Sequence, residues 1–276
     1  MQIIDTHCHL IYRDRFRYPW LAAEPRLDRD CTVDDYLPQA RAAGITGVLH
    51  MEVDVDPADS EAEAAFTGGL GAPFVGTIAG CRPEDADFPD KLERLAAIVG
   101  VKGVRRILHT EPDALAQAPL FAANLGRLAQ YGMSFDFCVL PHQIPTAIAL
   151  ARACPDVQFV LDHCGVPDVQ ARALEPWRSG VRAIADLPNV AAKLSGIVAY
   201  ADPQGWTVDD LRPYAEHVIE SFGWDRMMWG SDHPVCTRAA SLGQWMDATH
   251  ALLAGASETE KAQLLGLTAR RIYRLG

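Results

Sequence analysis

Apolar positions along the chain fall into eight short runs, each followed by a stretch with helical spacing. The runs are 3–9, 46–52, 74–78, 103–109, 134–140, 158–163, 190–195 and 227–231. Several are almost continuously apolar, as strands covered on both faces are. Strands alternating with helices predict a parallel sheet. Helix signals support the intervals. Thr32-Val33-Asp34-Asp35 reads as a capping box, with Gly44 at the helix end. Thr207 to Asp210 repeats the pattern before a helix ending near Phe222, with Gly223 after it. Ser257 to Glu260 opens a C-terminal helix, and Gly266 and Thr268 predict a break before the last segment. No composition shift or low-complexity tract divides the chain, so one domain is expected over residues 1–276. The predicted class is α/β, a single (β/α)8 TIM barrel with room for distortion. An open doubly wound sheet is the alternative. It calls for a glycine-rich phosphate turn after the first strand, where this chain carries a histidine pair.

Charge and cysteine content narrow the partners. A formal net charge of −11 opposes binding to polyphosphate backbones, and the short cluster of Arg13, Arg15 and Arg17 does not offset it. No nucleic-acid partner is expected. Nor is a membrane partner, since no apolar run approaches a span of about 18 residues. The first residues begin directly in a strand-like run, without the basic start and long apolar stretch of a signal peptide. The seven cysteines are odd in number and form no CxxC pair. Reduced thiols in a cytoplasmic protein are therefore expected. A homo-oligomer is compatible with all of this.

The chemistry concentrates at strand ends. In Asp5-Thr6-His7-Cys8-His9, strict alternation places Asp5, His7 and His9 on one face, with Thr6 and Cys8 on the other. In a barrel the first face is the interior, and the C-terminal strand end opens on the catalytic mouth. His142 follows the fifth run, His163 ends the sixth, and Asp232 follows the eighth. Imidazoles and a carboxylate converging there suit Zn2+ or another borderline divalent ion.

These residues sit in longer stretches that carry a family resemblance. They are Ile4-Asp5-Thr6-His7-Cys8-His9, Lys102-Gly103-Val104-Arg105-Arg106, Val160-Leu161-Asp162-His163, Lys193-Leu194-Ser195-Gly196, Gly230-Ser231-Asp232-His233-Pro234-Val235 and Ala269-Arg270-Arg271-Ile272-Tyr273. In this order the chain resembles the amidohydrolase superfamily, in the amidohydrolase-related branch that holds sugar lactonases and 2-pyrone-4,6-dicarboxylate lactonase. His233 departs from it, standing where sugar-lactonase relatives often carry Trp. The resemblance implies a mononuclear metal site held by His7, His9, His142 and Asp232. Two imidazoles, His142 and His163, compete for the third histidine position. With His142 as the ligand, His163 polarises the substrate or handles a proton. Dinuclear relatives need a bridging lysine or glutamate at the end of the fourth strand. Here Lys102 lies at its far end, and Glu111 reads as a loop acid. The branch also holds lactonases that work without metal.

Arg105, His109 and Lys193 are candidates to reach substrate carboxylate or hydroxyls if they face inward, and Arg105 and Arg106 cannot both do so. His50 reads as a rim or core residue, and His217 and His250 as solvated helix positions. Tyr12, Tyr18 and Trp20 either lid the mouth or pack on its rim. The expected reaction is hydrolysis of a small sugar-acid lactone, with one divalent ion (Zn2+ first) and with Asp232 and His163 as catalytic groups. The competing expectations are a metal-dependent decarboxylase of the same branch and a non-catalytic binding barrel.

Overall fold

Eight parallel strands, hydrogen-bonded in sequence order, form a nearly closed barrel in the computed structural model, which describes residues 2–276. They are β1 (Ile4–Cys8), β2 (Gly47–Met51), β3 (Phe74–Gly80), β4 (Val101–Ile107), β5 (Ser134–Cys138), β6 (Gln158–Leu161), β7 (Val190–Leu194) and β8 (Met227–Trp229). One main helix follows each strand: α1 (Val33–Ala42), α2 (Ser60–Gly68), α3 (Phe88–Ala97), α4 (Pro119–Leu125), α5 (Ile144–Ala153), α6 (Trp177–Ala185), α7 (Val208–Phe222) and α8 (Leu242–Leu252). All eight expected strands are present. The capping boxes form as read: the Thr32 N–H donates to Asp35 Oδ2 at 2.8 Å and the Thr207 N–H to Asp210 Oδ2 at 2.9 Å. The break expected near Gly266 is instead a π-helical turn, Gln263–Leu267, and the chain stays helical through Thr268–Ile272.

Two apolar layers follow from strand alternation. Outward residues such as Phe135, Phe137 and Phe159 pack under the helices, with Phe137 stacked on Phe159 at 4.8 Å. Burying each such side chain contributes about 1.5–3 kcal/mol. Inward residues Ile4, Leu49, Ile78, Val160, Ala191 and Met228 fill the lower barrel, sealed by Ile272 and Tyr273 from the C-terminal helix.

The barrel closes irregularly between β8 and β1. The His9 N–H donates to the His233 carbonyl and the Asp232 N–H to the His7 carbonyl, each at 2.7 Å. Side chains complete the seam: Thr6 Oγ1 donates to the Trp229 carbonyl at 2.7 Å, and Asp5 Oδ1 accepts the Ser231 N–H at 2.8 Å. Along β2, Asp5 pairs with Val48 and Cys8 with His50, so β1 holds one extra residue, a bulge. The bulge corrects the expected alternation. Asp5 does not share the inner face with His7 and His9; its Oδ2 accepts the Tyr36 hydroxyl of α1 at 2.6 Å. All seven cysteines are free, and among the described residues no helix is long and apolar enough to cross a membrane.

Candidate active site

His7, His9 and Asp232 meet at the top of the β8–β1 seam. His9 Nδ1 lies 3.1 Å from the Met51 carbonyl and 2.9 Å from that of Glu52. Two acceptors require a donor, so Nδ1 carries the proton and Nε2 keeps its lone pair. That lone pair faces Asp232 Oδ1 at 3.4 Å, and His7 Nε2 lies 3.8 Å from the same oxygen. One ligand atom from each residue falls within 4.8 Å of the others. Two imidazoles and a carboxylate form the three-ligand complement of an open catalytic site, so this set can hold a metal ion. A second group, His7 with Asp162 and His163, is equally close, but Lys193 Nζ already lies 3.0 Å from Asp162 Oδ1.

Backbone conformation brings His163 to the same place. His163, Cys164, Gly165 and Val166 all have positive φ, 52°, 54°, 75° and 52°, and Asp232 has φ 57°. Such non-glycine strain persists only where the surroundings over-determine it, and it clusters at functional sites. His163 Nδ1 lies 3.2 Å from Ser195 Oγ and 3.9 Å from Asp232 Oδ2. Asp232 Oδ2 is buried with no hydrogen-bond partner. Gly196 makes the approach possible: at φ +67°, a Cβ there would lie 2.5 Å from His163 Nδ1 and 2.6 Å from Asp232 Oδ2.

Beneath this cluster lies a layer of buried charge. Arg105 Nε donates to Glu52 Oε1 at 2.6 Å, and its Nη1 lies 3.2 Å from His7 Nε2. Lys193 Nζ donates to Asp136 Oδ2 at 2.6 Å, and Tyr273 donates to the same oxygen at 2.6 Å. Burial holds His7 well below the ordinary imidazole range against the pull of Asp162, and His163 is lowered by burial too. Both rings are therefore neutral at neutral pH. Burial by itself pushes the Asp162 carboxyl up, but Lys193 and His7 overturn this and hold it well below the usual carboxylate range. These contacts correct two expectations. Lys193 is fully buried and ion-paired below the histidines, not placed to bind substrate. Arg105 does face inward, but it is committed to Glu52 and His7. Arg106 points outward to Glu84 and Glu111, which also accounts for Glu111.

His142 is the remaining correction. After β5 the chain turns outward at Pro141, and the His142 side chain is 57% exposed with Nε2 3.5 Å from Asp113 Oδ1. It takes no part in the His7–His9–Asp232 set. The end of β5 instead supplies Cys138, whose Sγ lies 3.0 Å from His109 Nδ1. Burial, with His163 and Arg105 nearby, lowers His109 to about 4. His50 is a core residue as read, its Nδ1 2.8 Å from Thr77 Oγ1. His217 is buried rather than solvated, and its Nε2 donates to the Arg178 carbonyl at 2.8 Å. Tyr18 and Leu21 pack with Val53 in a small rim core, where the Trp20 indole donates to the Val53 carbonyl at 2.8 Å.

Glu52 and Asp136 were not singled out from sequence, and Asp162, Ser195 and Gly196 stood only within stretches that carry the family resemblance, without a role. Acids inside otherwise apolar strands were the available signal for Asp136 and Asp162. A cavity of about 880 Å3 opens beside this cluster, lined among others by Glu24, His142, Gln170, Tyr200 and Arg238. The Tyr200 ring lies 6.3 Å from that of His163, linking cavity to cluster.

The amidohydrolase family profile matches residues 4–275. The L-fucono-1,5-lactonase of Burkholderia multivorans is 31% identical, over 99% of this chain and 96% of that protein. A Burkholderia multivorans amidohydrolase crystallised with bound zinc superposes with a TM-score of 0.91 at 28% identity, covering 100% of both chains. A 2-pyrone-4,6-dicarboxylic acid hydrolase described as putative, from Pseudomonas putida, superposes at 0.76 with 26% identity, covering 99% of this chain and 97% of that one.

Proposed function

The chain belongs to the amidohydrolase family, and we propose that it is a metal-dependent lactonase that opens a small sugar-acid lactone to its hydroxy acid. The observation that carries this reading is the meeting of His7 Nε2, His9 Nε2 and Asp232 Oδ1, with an unpartnered Asp232 Oδ2 beside His163. The L-fucono-1,5-lactonase relative supports the substrate class, and the neighbour crystallised with bound zinc supports Zn2+ as the ion. A divalent ion in this set supplies Lewis acidity and lowers the pKa of water to about 7.

The chain's own residues carry the proton and the charge. Asp232 Oδ2 accepts a proton from the attacking water. As the ring C–O bond breaks, Asp232 returns that proton to the departing alkoxide. An N–H of neutral His163 donates to the oxyanion that develops on the carbonyl. The polar groups in a largely apolar cavity lining, Gln170, Tyr200 and Arg238 among them, hold the sugar hydroxyls.

The test is a panel of aldonolactones followed with a pH indicator, with and without chelator. One titratable acid per turnover and no released carbon dioxide are expected. Elemental analysis should find one ion per chain, lost in His7→Ala and His9→Ala and kept in His142→Ala. Carbon dioxide as product, or two ions per chain, would overturn this reading.

A further inference from the structure

Lys193 raises a physical question that lactone hydrolysis leaves open. It is fully buried, as are Asp136 and Asp162. Two residues earlier on the same strands, Val160 and Ala191 face the same interior and are apolar. Burying an ion carries a desolvation penalty that pairing repays only with good geometry, and well-packed apolar side chains are often at least as stable there. A charge kept at such a site acts on its neighbours.

We propose that Lys193, anchored by Asp136 and Tyr273, is a positioning residue. It fixes Asp162 against His7 Nδ1 and so keeps the Nε2 lone pair of His7 turned toward Asp232 and His9.

The contacts form one chain. The Tyr273 hydroxyl and Lys193 Nζ both donate to Asp136 Oδ2, each at 2.6 Å. Ser134 Oγ steadies the other oxygen, Oδ1, at 3.3 Å. Lys193 Nζ reaches on to Asp162 Oδ1 at 3.0 Å, and that oxygen lies 3.4 Å from His7 Nδ1. The opposite edge of the imidazole fixes the tautomer. Arg105 Nη1, which can only donate, lies 3.2 Å from His7 Nε2, so Nε2 carries a lone pair. A neutral imidazole has one N–H, which is then on Nδ1; that nitrogen has Lys193 Nζ and Asp162 Oδ1 at 3.4 Å each, and of the two only the carboxylate can accept it. Neither Asp162 oxygen makes a well-directed hydrogen bond of its own, and the other one lies 3.6 Å from Arg105. Without Lys193, Asp162 is free to swing to Arg105, and His7 Nδ1 loses its acceptor. The last turn of the chain, through Tyr273, is thereby tied to a ligand at the opposite end of the sequence.

The inference rests on His7 being a metal ligand, but its first readout depends on neither metal nor substrate. In the full-length protein stripped with chelator, 15N-resolved NMR of the His7 ring should show the Nδ1–H form alone. In Lys193→Met the two tautomers should mix, and zinc affinity measured by chelator competition should fall about 10–100-fold, as for other groups that orient ligands. Tyr273→Phe should move both readouts the same way by less. Leu49→Ala, a cavity in the same interior on β2, a strand that carries none of these linked residues, should lower the Tm while leaving tautomer and affinity unchanged. An unchanged tautomer and zinc affinity in folded Lys193→Met would overturn the proposal, as would an equal affinity loss in Leu49→Ala. Should Lys193→Met fail to fold, Tyr273→Phe decides, and no change in either readout there is equally fatal. Wild-type protein that binds no zinc at His7 would instead remove the ligand reading, with the tautomer result standing.

Discussion

The β4–β5 wall and the β8–β1 seam solve the same problem of joining neighbouring strands, and they solve it differently. Between β4 and β5 the register runs unbroken from Gly103–Ser134 to Ile107–Cys138, and side chains alternate strictly. Arg105 therefore points in and Arg106 out. At the seam the ladder thins to a bridge at Cys8–His233, and Asp5, Thr6 and Ser231 supply bonds that backbone supplies elsewhere. The regular wall delivers a fixed cation. The irregular seam lets β1 gain a residue and aim two imidazoles at a carboxylate on the far side of the join. Side-chain bonding leaves the backbone free to bend, and the strain that follows is held where the chemistry is.

If the seam is the reactive half, its variants should cost activity far more than those of the wall. The largest effect is expected for Asp232→Asn, which keeps shape and an oxygen ligand but removes the base. The kcat should fall about 10^2–10^4-fold, with fold and much of the metal retained; His163→Asn should lose less. Near-wild-type turnover of Asp232→Asn at saturating metal would remove it as the proton carrier. Gly196→Ala comes next, because its Cβ would intrude on both His163 and Asp232. A misplacement of this kind costs about 10^2-fold in kcat, read beside an unchanged circular dichroism spectrum.

Stability should distinguish the two regions less sharply. Tyr36→Phe leaves Asp5 Oδ2 short of a donor at the seam, at a cost of about 1–3 kcal/mol in urea unfolding. Arg106→Met on the wall should lose a similar or smaller amount with kcat unchanged. If Arg106→Met lowers kcat as Gly196→Ala does, the functional division between seam and wall is wrong.

The effect that separates the two regions least is a dependence on pH shared by both. Burial lowers His109 on the wall and His233 at the seam to about 4 each. Unfolded, both bind protons near 6.5. Between these values the unfolded chain holds more protons, so stability falls as pH drops from about 6.5 to 4 and is level above that range. Urea midpoints at neutral and acid pH measure the slope, and His109→Gln and His233→Phe should each remove a comparable part of it.

Much of this molecule was legible before its structure, for identifiable reasons. Apolar runs with helical intervals announce a barrel because every strand is covered on both faces. His7, His9, His163 and Asp232 were readable because they stand at strand ends, where a parallel barrel gathers side chains at one mouth. His142 shows the limit of that logic. It follows β5 in the sequence, but a turn at Pro141 sends it outward, and the sequence does not encode that direction locally. Lys193 and Arg105 were read as polar groups seeking substrate, since nothing along the chain shows that Asp136 and Glu52, 57 and 53 residues away, already pair with them.

What the sequence determined by itself is therefore whatever depends on period and position: strand count, order, inward or outward facing in regular strands, and the set of residues at the mouth. The tertiary structure decided what depends on closure and on contacts between distant segments. The bulge that turns Asp5 toward Tyr36, the close passage of Gly196 between His163 and Asp232, and the path from Tyr273 to His7 all arise only when the first and last strands meet. Local preferences act over a few residues, whereas these contacts join parts of the chain up to its full length apart.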